Sequence, residues 1–168
     1  MNVKNFAFIP VVLAALLLGT GVMADPKTKG PVTRLDLPRF VSLKHDTTNA
    51  RRGPSRTHRI DWVYKRRHLP VQIVAEYEHW RKVRDHDGLG GWVHARLLSG
   101  NRYALFQADG QLHLQPDARS PVVATVGPLV MGELKACQKT WCKLELDGAR
   151  GWAEKTALWG VDADEVFD

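Results

Sequence analysis

The sequence predicts an all-β fold, two tandem copies of one small module behind an N-terminal signal peptide helix. Three observations carry that expectation. An ordered set of tryptophan, Asp-Gly and Gly-Trp signals occurs twice along the 168 residues. Between the signals lie short β-branched runs such as Val122 to Val126, bounded by proline and glycine. Beyond residue 24 no segment offers a long helical period.

The first 24 residues open with Lys4, continue in an apolar run from Phe6 to Leu18, and end on Val22-Met23-Ala24. A basic start, a medium apolar core and a small-residue exit form the pattern of a secretory signal peptide. The run is shorter than the ~20 apolar residues that a bilayer span takes, and no cysteine follows it to carry a lipid. Cleavage after Ala24 is expected, leaving a periplasmic or secreted chain with no stable membrane anchor. Residues 25–38, polar and proline-containing, read as a linker. Residues 39–102 then form the first module, 103–162 the second, and 163–168 an acidic tail.

The repeat defines the modules. Trp80-Arg81-Lys82-Val83, Asp87-Gly88, Gly91-Trp92-Val93 and Leu97-Leu98 are followed by Trp141-Cys142-Lys143-Leu144, Asp147-Gly148, Gly151-Trp152-Ala153 and Leu158-Trp159. The interval from Asp-Gly to Gly-Trp is the same in both, and the interval from the first tryptophan to Asp-Gly differs by one residue. Upstream, Leu69–Val74 is matched with Leu129–Leu134, and Asn49–Pro54 with Leu112–Asp117. An ordered series of this kind reads as duplication. Asp-Gly suits a hairpin turn, because glycine accepts positive φ and aspartate bonds to its own backbone. Short strands at this spacing suggest a sandwich or small barrel.

Charge divides unevenly between the copies. From Arg39 to Arg102 there are 14 Lys/Arg against 6 Asp/Glu, and from Tyr103 to Asp168 there are 6 against 10. Six of the 7 histidines also lie in the first half. A uniform solvated coat would not divide this way, so the two modules are expected to face different things.

Asn49-Ala50-Arg51-x-Gly53-Pro54-Ser55, an apolar strand, Trp80-x-x-Val83 and Gly91-Trp92-Val93 together resemble the bacterial SH3-like domain. The pairing of two copies, with Asp61-Trp62-Val63-Tyr64 in the first and Leu158-Trp159-Gly160-Val161 closing the second, resembles the exported two-module subgroup of that family. The resemblance covers about residues 40–161. It implies a five- to six-stranded, partly open SH3-like β-barrel for each copy. It also implies a non-catalytic binding role, commonly toward cell-wall peptidoglycan or a peptide, with no cofactor. The second copy departs from the pattern, with Gln115-Pro116-Asp117 in place of the Arg-Gly-Pro turn and Ala153 in place of a branched residue.

Few residues offer chemistry. Cys137 and Cys142, the only cysteines, are separated by four residues, which suits paired strands of a hairpin and a cross-strand disulfide. An oxidising compartment favours the bond, and zinc would need further ligands that this half does not supply. Closing so short a loop contributes about 2 kcal/mol by chain entropy. The histidines show no metal spacing, and no serine or cysteine is set against a base and an orienting acid. No catalytic residue and no metal site are therefore expected.

Trp80 with Trp141, and Trp92 with Trp152, recur at matched positions and read as core or near-core. Trp62, Tyr64 and Tyr77 occur only in the first copy, beside the basic run containing Arg66 and Arg67. With Arg51 of the family turn, these six residues are the expected ligand contacts; the aromatics equally suit an interface between modules. The leading expectation is an envelope protein that binds peptidoglycan or a peptide. A second is a structural or assembly protein that docks its acidic module onto an envelope partner. Nucleic acid is disfavoured as a partner by export and by the acidic second half.

Amino-terminal sequencing of envelope material is expected to begin at Asp25, and recovery of an intact Met1 segment would overturn the cleavage.

Overall fold

A computed structural model describes residues 27–168; the expected signal peptide, residues 1–24, lies outside the described residues. A two-stranded ribbon, β1 (Thr28–Lys29) and β2 (Asp36–Leu37), comes first. The first module contains β3 (Arg39–Leu43), β4 (Thr48–Arg51), β5 (Ile60–Tyr64), β6 (Pro70–Tyr77), β7 (Trp80–Arg84), β8 (Gly90–His94) and β9 (Leu98–Ser99). The second contains β10 (Tyr103–Phe106), β11 (Gly110–His113), β12 (Val122–Val126), β13 (Met131–Cys137), β14 (Trp141–Leu146), β15 (Ala149–Glu154) and β16 (Leu158–Trp159). A short 3-10 turn, Ala95–Leu97 or Lys155–Ala157, precedes the last strand of each.

The two sheets have the same connectivity. The first runs β5-β4-β8-β7-β6-β3-β9 and the second β12-β11-β15-β14-β13-β10-β16. Their end strands do not pair, so each module is an open barrel, as the resemblance implies, with seven strands in place of the expected five or six. Register fixes which residues correspond. Val83 faces Ile73 and Gly91, as Leu144 faces Leu134 and Gly151. Ser42 faces Pro70 and Ser99, as Leu105 faces Met131 and Trp159.

These pairings correct the upstream matches by one residue. Pro70 corresponds to Met131, and Asn49 to Gln111, since Asn49 faces Val63 as Gln111 faces Thr125. Pro54 therefore falls on Pro116, and it is Leu114-Gln115-Pro116 that occupies the place of Arg52-Gly53-Pro54. The one-residue difference downstream lies in the hairpin turn. Leu146 pairs directly with Ala149 around Asp147-Gly148. In the first copy the Asp85 carboxylate instead accepts from the amides of Asp87 and Leu89 across a longer loop.

The repeated Gly-Trp marks a close crossing of strands. A Cβ on Gly91 would lie 2.6 Å from the Arg51 carbonyl oxygen, and one on Gly151 would lie 2.9 Å from that of His113. Only glycine lets β8 reach β4, or β15 reach β11, at that point. Behind each crossing sits a core. Leu43, Ala50, Tyr64, Val71, Ile73, Val83 and Val93 fill the first. Phe106, Leu112, Val126, Leu134, Leu144 and Ala153 fill the second. Size is exchanged between equivalent positions: small Ala50 goes with large Tyr64, and larger Leu112 with smaller Val126. Volume-conserving exchange is what a packed interior tolerates.

The segment expected to be a linker docks on the first module. The Glu76 side chain is 0% exposed. It accepts hydrogen bonds from the amides of Val32 and Thr33 (3.0 and 2.8 Å), the Thr33 hydroxyl (2.6 Å) and Arg39 (2.8 Å). Arg81, its register partner, lies 3.5 Å away. At the equivalent positions in the second module, Cys137 and Cys142 face each other and form the disulfide. There the C-terminal tail docks: Phe167 and Cys137 exchange both backbone hydrogen bonds, 2.7 and 3.0 Å. Each distal hairpin thus has one cross-strand tie and holds one terminal segment.

The modules also hold each other. Trp159 of the second stands edge-on to Phe40 of the first at 5.1 Å and donates its indole N–H to the Pro70 carbonyl at 3.3 Å. His68 stacks on Tyr103 at 4.3 Å. Leu105, with Met131 and Trp159 beside it, extends the core of the first module. Lys27 at the start of the ribbon pairs with Asp164 in the tail at 3.0 Å.

Burial raises the pKa of Glu76, but the hydrogen bonds from Thr33, Arg39 and Val32 outweigh it and hold the carboxyl at about 2, against an ordinary 4.5. A depressed folded-state pKa contributes stability that is present above pH 4.5 and lost as pH falls from there toward 2. Glu76→Gln is expected to lower unfolding stability by on the order of 3 kcal/mol and to remove that acid-dependent component, measured by urea unfolding across the acid range. An unchanged acid profile would show that the ribbon is held by other contacts.

Candidate binding grooves

A groove at matched positions lies beside the close crossing of strands in each module. In the first it has a volume of about 480 Å³ and is lined by Thr47, Asn49, Arg51, Arg56, Trp80, His94, Arg96 and Leu97. Arg51 ends β4 at the crossing, and its guanidinium donates to the His58 carbonyl at 2.7 Å, bracing the loop that carries Arg56. Trp80 begins β7 directly opposite His94 on β8, and the two rings meet edge-on at 5.3 Å. His94 caps the 3-10 turn, its Nδ1 accepting from the Arg96 amide at 3.3 Å. The neutral ring therefore carries its proton on Nε2. Burial first, and then the positive charges of Arg96 and Arg56, hold His94 below its ordinary value of 6.5. No Asp or Glu lines this groove, so its polar side chains are predominantly donors.

The second groove, about 620 Å³, is built at the same positions from different chemistry. Asp109 stands where Thr47 does, Gln111 for Asn49, His113 for Arg51, Ala118 for Arg56, Trp141 for Trp80, Glu154 for His94 and Ala157 for Leu97. Trp141 faces Glu154 in the register, and its ring meets His113 edge-on at 5.4 Å. No Lys or Arg lines it. Shorter side chains at the Arg51 and Arg56 positions leave it the larger of the two.

The structure disperses the six residues expected to contact ligand. Arg51 alone lines a groove. Tyr64 belongs to the core: it is 4% exposed, and its hydroxyl donates to the Leu89 carbonyl at 3.1 Å. Burial, and then the charge of Asp85, push its phenol pKa up. Arg66 reaches the Leu129 carbonyl of the second module at 2.8 Å, which makes it an inter-module tie. Trp62 (41% exposed, on edge strand β5) and Tyr77 (51% exposed, at the end of β6) are open to solvent, as is Arg67, and none of the three lines a groove. The residues missed were Trp80 and Trp141, together with Arg56, His94, Arg96, Asp109, His113 and Glu154. Their signal was present in the matched tryptophans, which repeat because they floor matched grooves.

No group of three or more His, Cys, Asp or Glu that could hold a metal ion occurs among the described residues. No described helix is long and apolar enough to cross a membrane.

Two open barrels of identical topology, each with a tryptophan-floored groove beside the Gly-Trp crossing, define a tandem SH3-like protein. The sequence matches the bacterial SH3 domain over residues 44–100 and 109–160, and the chain belongs to that family. No curated protein matches it. Among solved structures it is similar to NlpC2 from Trichomonas vaginalis (12% identity, TM-score 0.34), covering 74% of this chain and 50% of that one. It is similar also to NlpC1 from Trichomonas vaginalis (12% identity, TM-score 0.37), covering 87% of this chain and 50% of that one. The chain thus spans half the length of each.

Replacing Arg96 by alanine should move the titration midpoint of His94 upward toward 6.5, followed by NMR of the imidazole. An unmoved midpoint would mean that the guanidinium charge is not felt in the groove.

Proposed function

We propose that the chain is an exported, non-catalytic binding protein whose first module recognises carboxylate-bearing peptides of the cell wall. The observation that carries this reading is the composition of the first groove: Arg51, Arg56, Arg96 and His94 around Trp80, with no carboxylate among them. Guanidinium groups bind carboxylates through paired, charge-assisted hydrogen bonds. An indole floor adds contact area for a peptide or sugar face. The signal-like N-terminus and membership of a family of binding modules support the same reading. The site differs from the one expected from sequence. It keeps Arg51 and exchanges the scattered aromatics for Trp80, leaving Trp62, Tyr77 and Arg67 as an exposed flank.

The mature two-module protein should cosediment with purified peptidoglycan. Binding should weaken as salt rises, since exposed charges are screened over about 10 Å at 0.1 M. Arg56→Ala combined with Arg96→Ala should reduce binding, while Arg119→Ala, an exposed cation of the second module, should not. Undiminished sedimentation of the groove variant, or equal loss with Arg119→Ala, would overturn the assignment.

A further inference from the structure

The second groove is not a worn copy of the first. At matched positions its charge changes: Arg51 and Arg56 give way to His113 and Ala118, while Thr47 and His94 give way to the carboxylates Asp109 and Glu154. Loss of function alone would leave a neutral or filled groove. This one is open at about 620 Å³, keeps its tryptophan and has gained two carboxylates.

Among the described residues neither carboxylate is paired with a cation, a state they share in this module with Asp147 in its turn and Asp168 at the tail. Glu133, Glu145, Asp162, Asp164 and Glu165 each meet a Lys or Arg side chain. Asp109 has no ion-pair or hydrogen-bond partner among the described residues, and Glu154 has only a 3.4 Å contact from the Thr156 hydroxyl. The nearest cation in sequence, Lys155, donates to the carbonyls of Ala163 and Glu165 in the tail.

His113 adds an acceptor to the same groove. Its side chain lines the groove although the residue is only 8% exposed. Nδ1 lies 2.9 Å from the Ser120 carbonyl, which can only accept, so the neutral ring carries its proton there. Nε2 is then an acceptor, and it has no partner among the described residues. The groove therefore offers two carboxylates, an imidazole lone pair and the face of Trp141, all of which favour a positively charged donor.

We infer that the second module carries its own binding site, for a primary ammonium group of the lysyl type borne on a peptide. The indole and the spread of the acceptors suit an organic cation rather than a metal ion. The site is independent of the first groove, and either can fail without the other.

The test uses the intact two-module protein and end-capped Gly-Lys-Gly, followed by NMR at the Trp141 indole N–H and the His113 ring. The same peptide with an acetylated lysine keeps the shape and loses the charge. The lysine peptide should shift both signals in a saturable way, and the acetylated one should not. Asp109→Asn combined with Glu154→Gln, both at exposed positions, should weaken binding about ten-fold while leaving peptidoglycan cosedimentation unchanged. Equal binding of both peptides, no saturable shift, or no effect of the double variant would overturn the inference. Self-association abolished by the double variant, without peptide binding, would give the groove to the basic module of a second copy and would equally overturn it.

Discussion

Everything in each module is arranged around one close backbone contact. The last residue of β4, or of β11, sets its carbonyl against a glycine that immediately precedes a tryptophan. A side chain at Gly91 or Gly151 would separate the strands at that point. The crossing closes one side of the open barrel over its core. It also fixes where the side chains of Arg51 and His113 emerge. Because those residues line the two grooves, the contact that makes the fold also sets the position of the site. The glycine is a structural requirement, and the residue opposite it is free to determine the chemistry.

The distal hairpins show how far such freedom extends. At one pair of facing positions the first module has Glu76 and Arg81, and the second has Cys137 and Cys142. Both ties join the same two strands. The carboxylate does more, because its remaining acceptor capacity is taken by Val32 and Thr33 and so it holds the N-terminal ribbon. The disulfide has no such capacity, and the tail instead pairs through the backbone of Cys137. A buried carboxylate with so many donors is anchored only while ionised. A covalent bond has no such pH dependence, so the two ends of the molecule are held by ties of different sensitivity.

The fold was legible from the sequence because its signals are backbone signals. Asp-Gly turns, Gly-Trp crossings and short branched strands repeat whatever chemistry their neighbours carry, and they placed both modules. The upstream register slipped by one residue because nothing between Asn49 and Pro54 repeats except the proline, and only the observed pairing aligns Pro54 with Pro116. The ribbon at residues 28–37 was hidden because its anchor, Glu76, lies 44 and 43 residues beyond the Val32 and Thr33 amides that it holds. The grooves were not legible for a related reason. Tyr64 looked functional because it does not repeat, whereas it is one half of a size exchange with Ala50 that Leu112 and Val126 complete differently. Trp80 and Trp141 read as core or near-core, and Trp80 is buried and Trp141 half-buried as that reading has it; a repeated near-core residue can also be the floor of a repeated groove.

Duplication explains why the two grooves can differ so completely. The tryptophan, the crossing and the 3-10 turn hold each groove open, so the lining residues can change without loss of the fold. Opposite polarity then needs few substitutions, and the histidines show how finely it is set. His94 accepts from a backbone amide on Nδ1 and so leaves Nε2 as a donor, among arginines. His113 meets a backbone carbonyl on Nδ1 and so leaves Nε2 as an acceptor, among carboxylates. In each case the main chain selects the tautomer that agrees with the surrounding charges. A random loss of lining residues in the second copy would give no reason for a hydrogen bond and two carboxylates to agree in sign. Their agreement gives the second groove a polarity of its own, in the same sense as the uneven charge of the two halves.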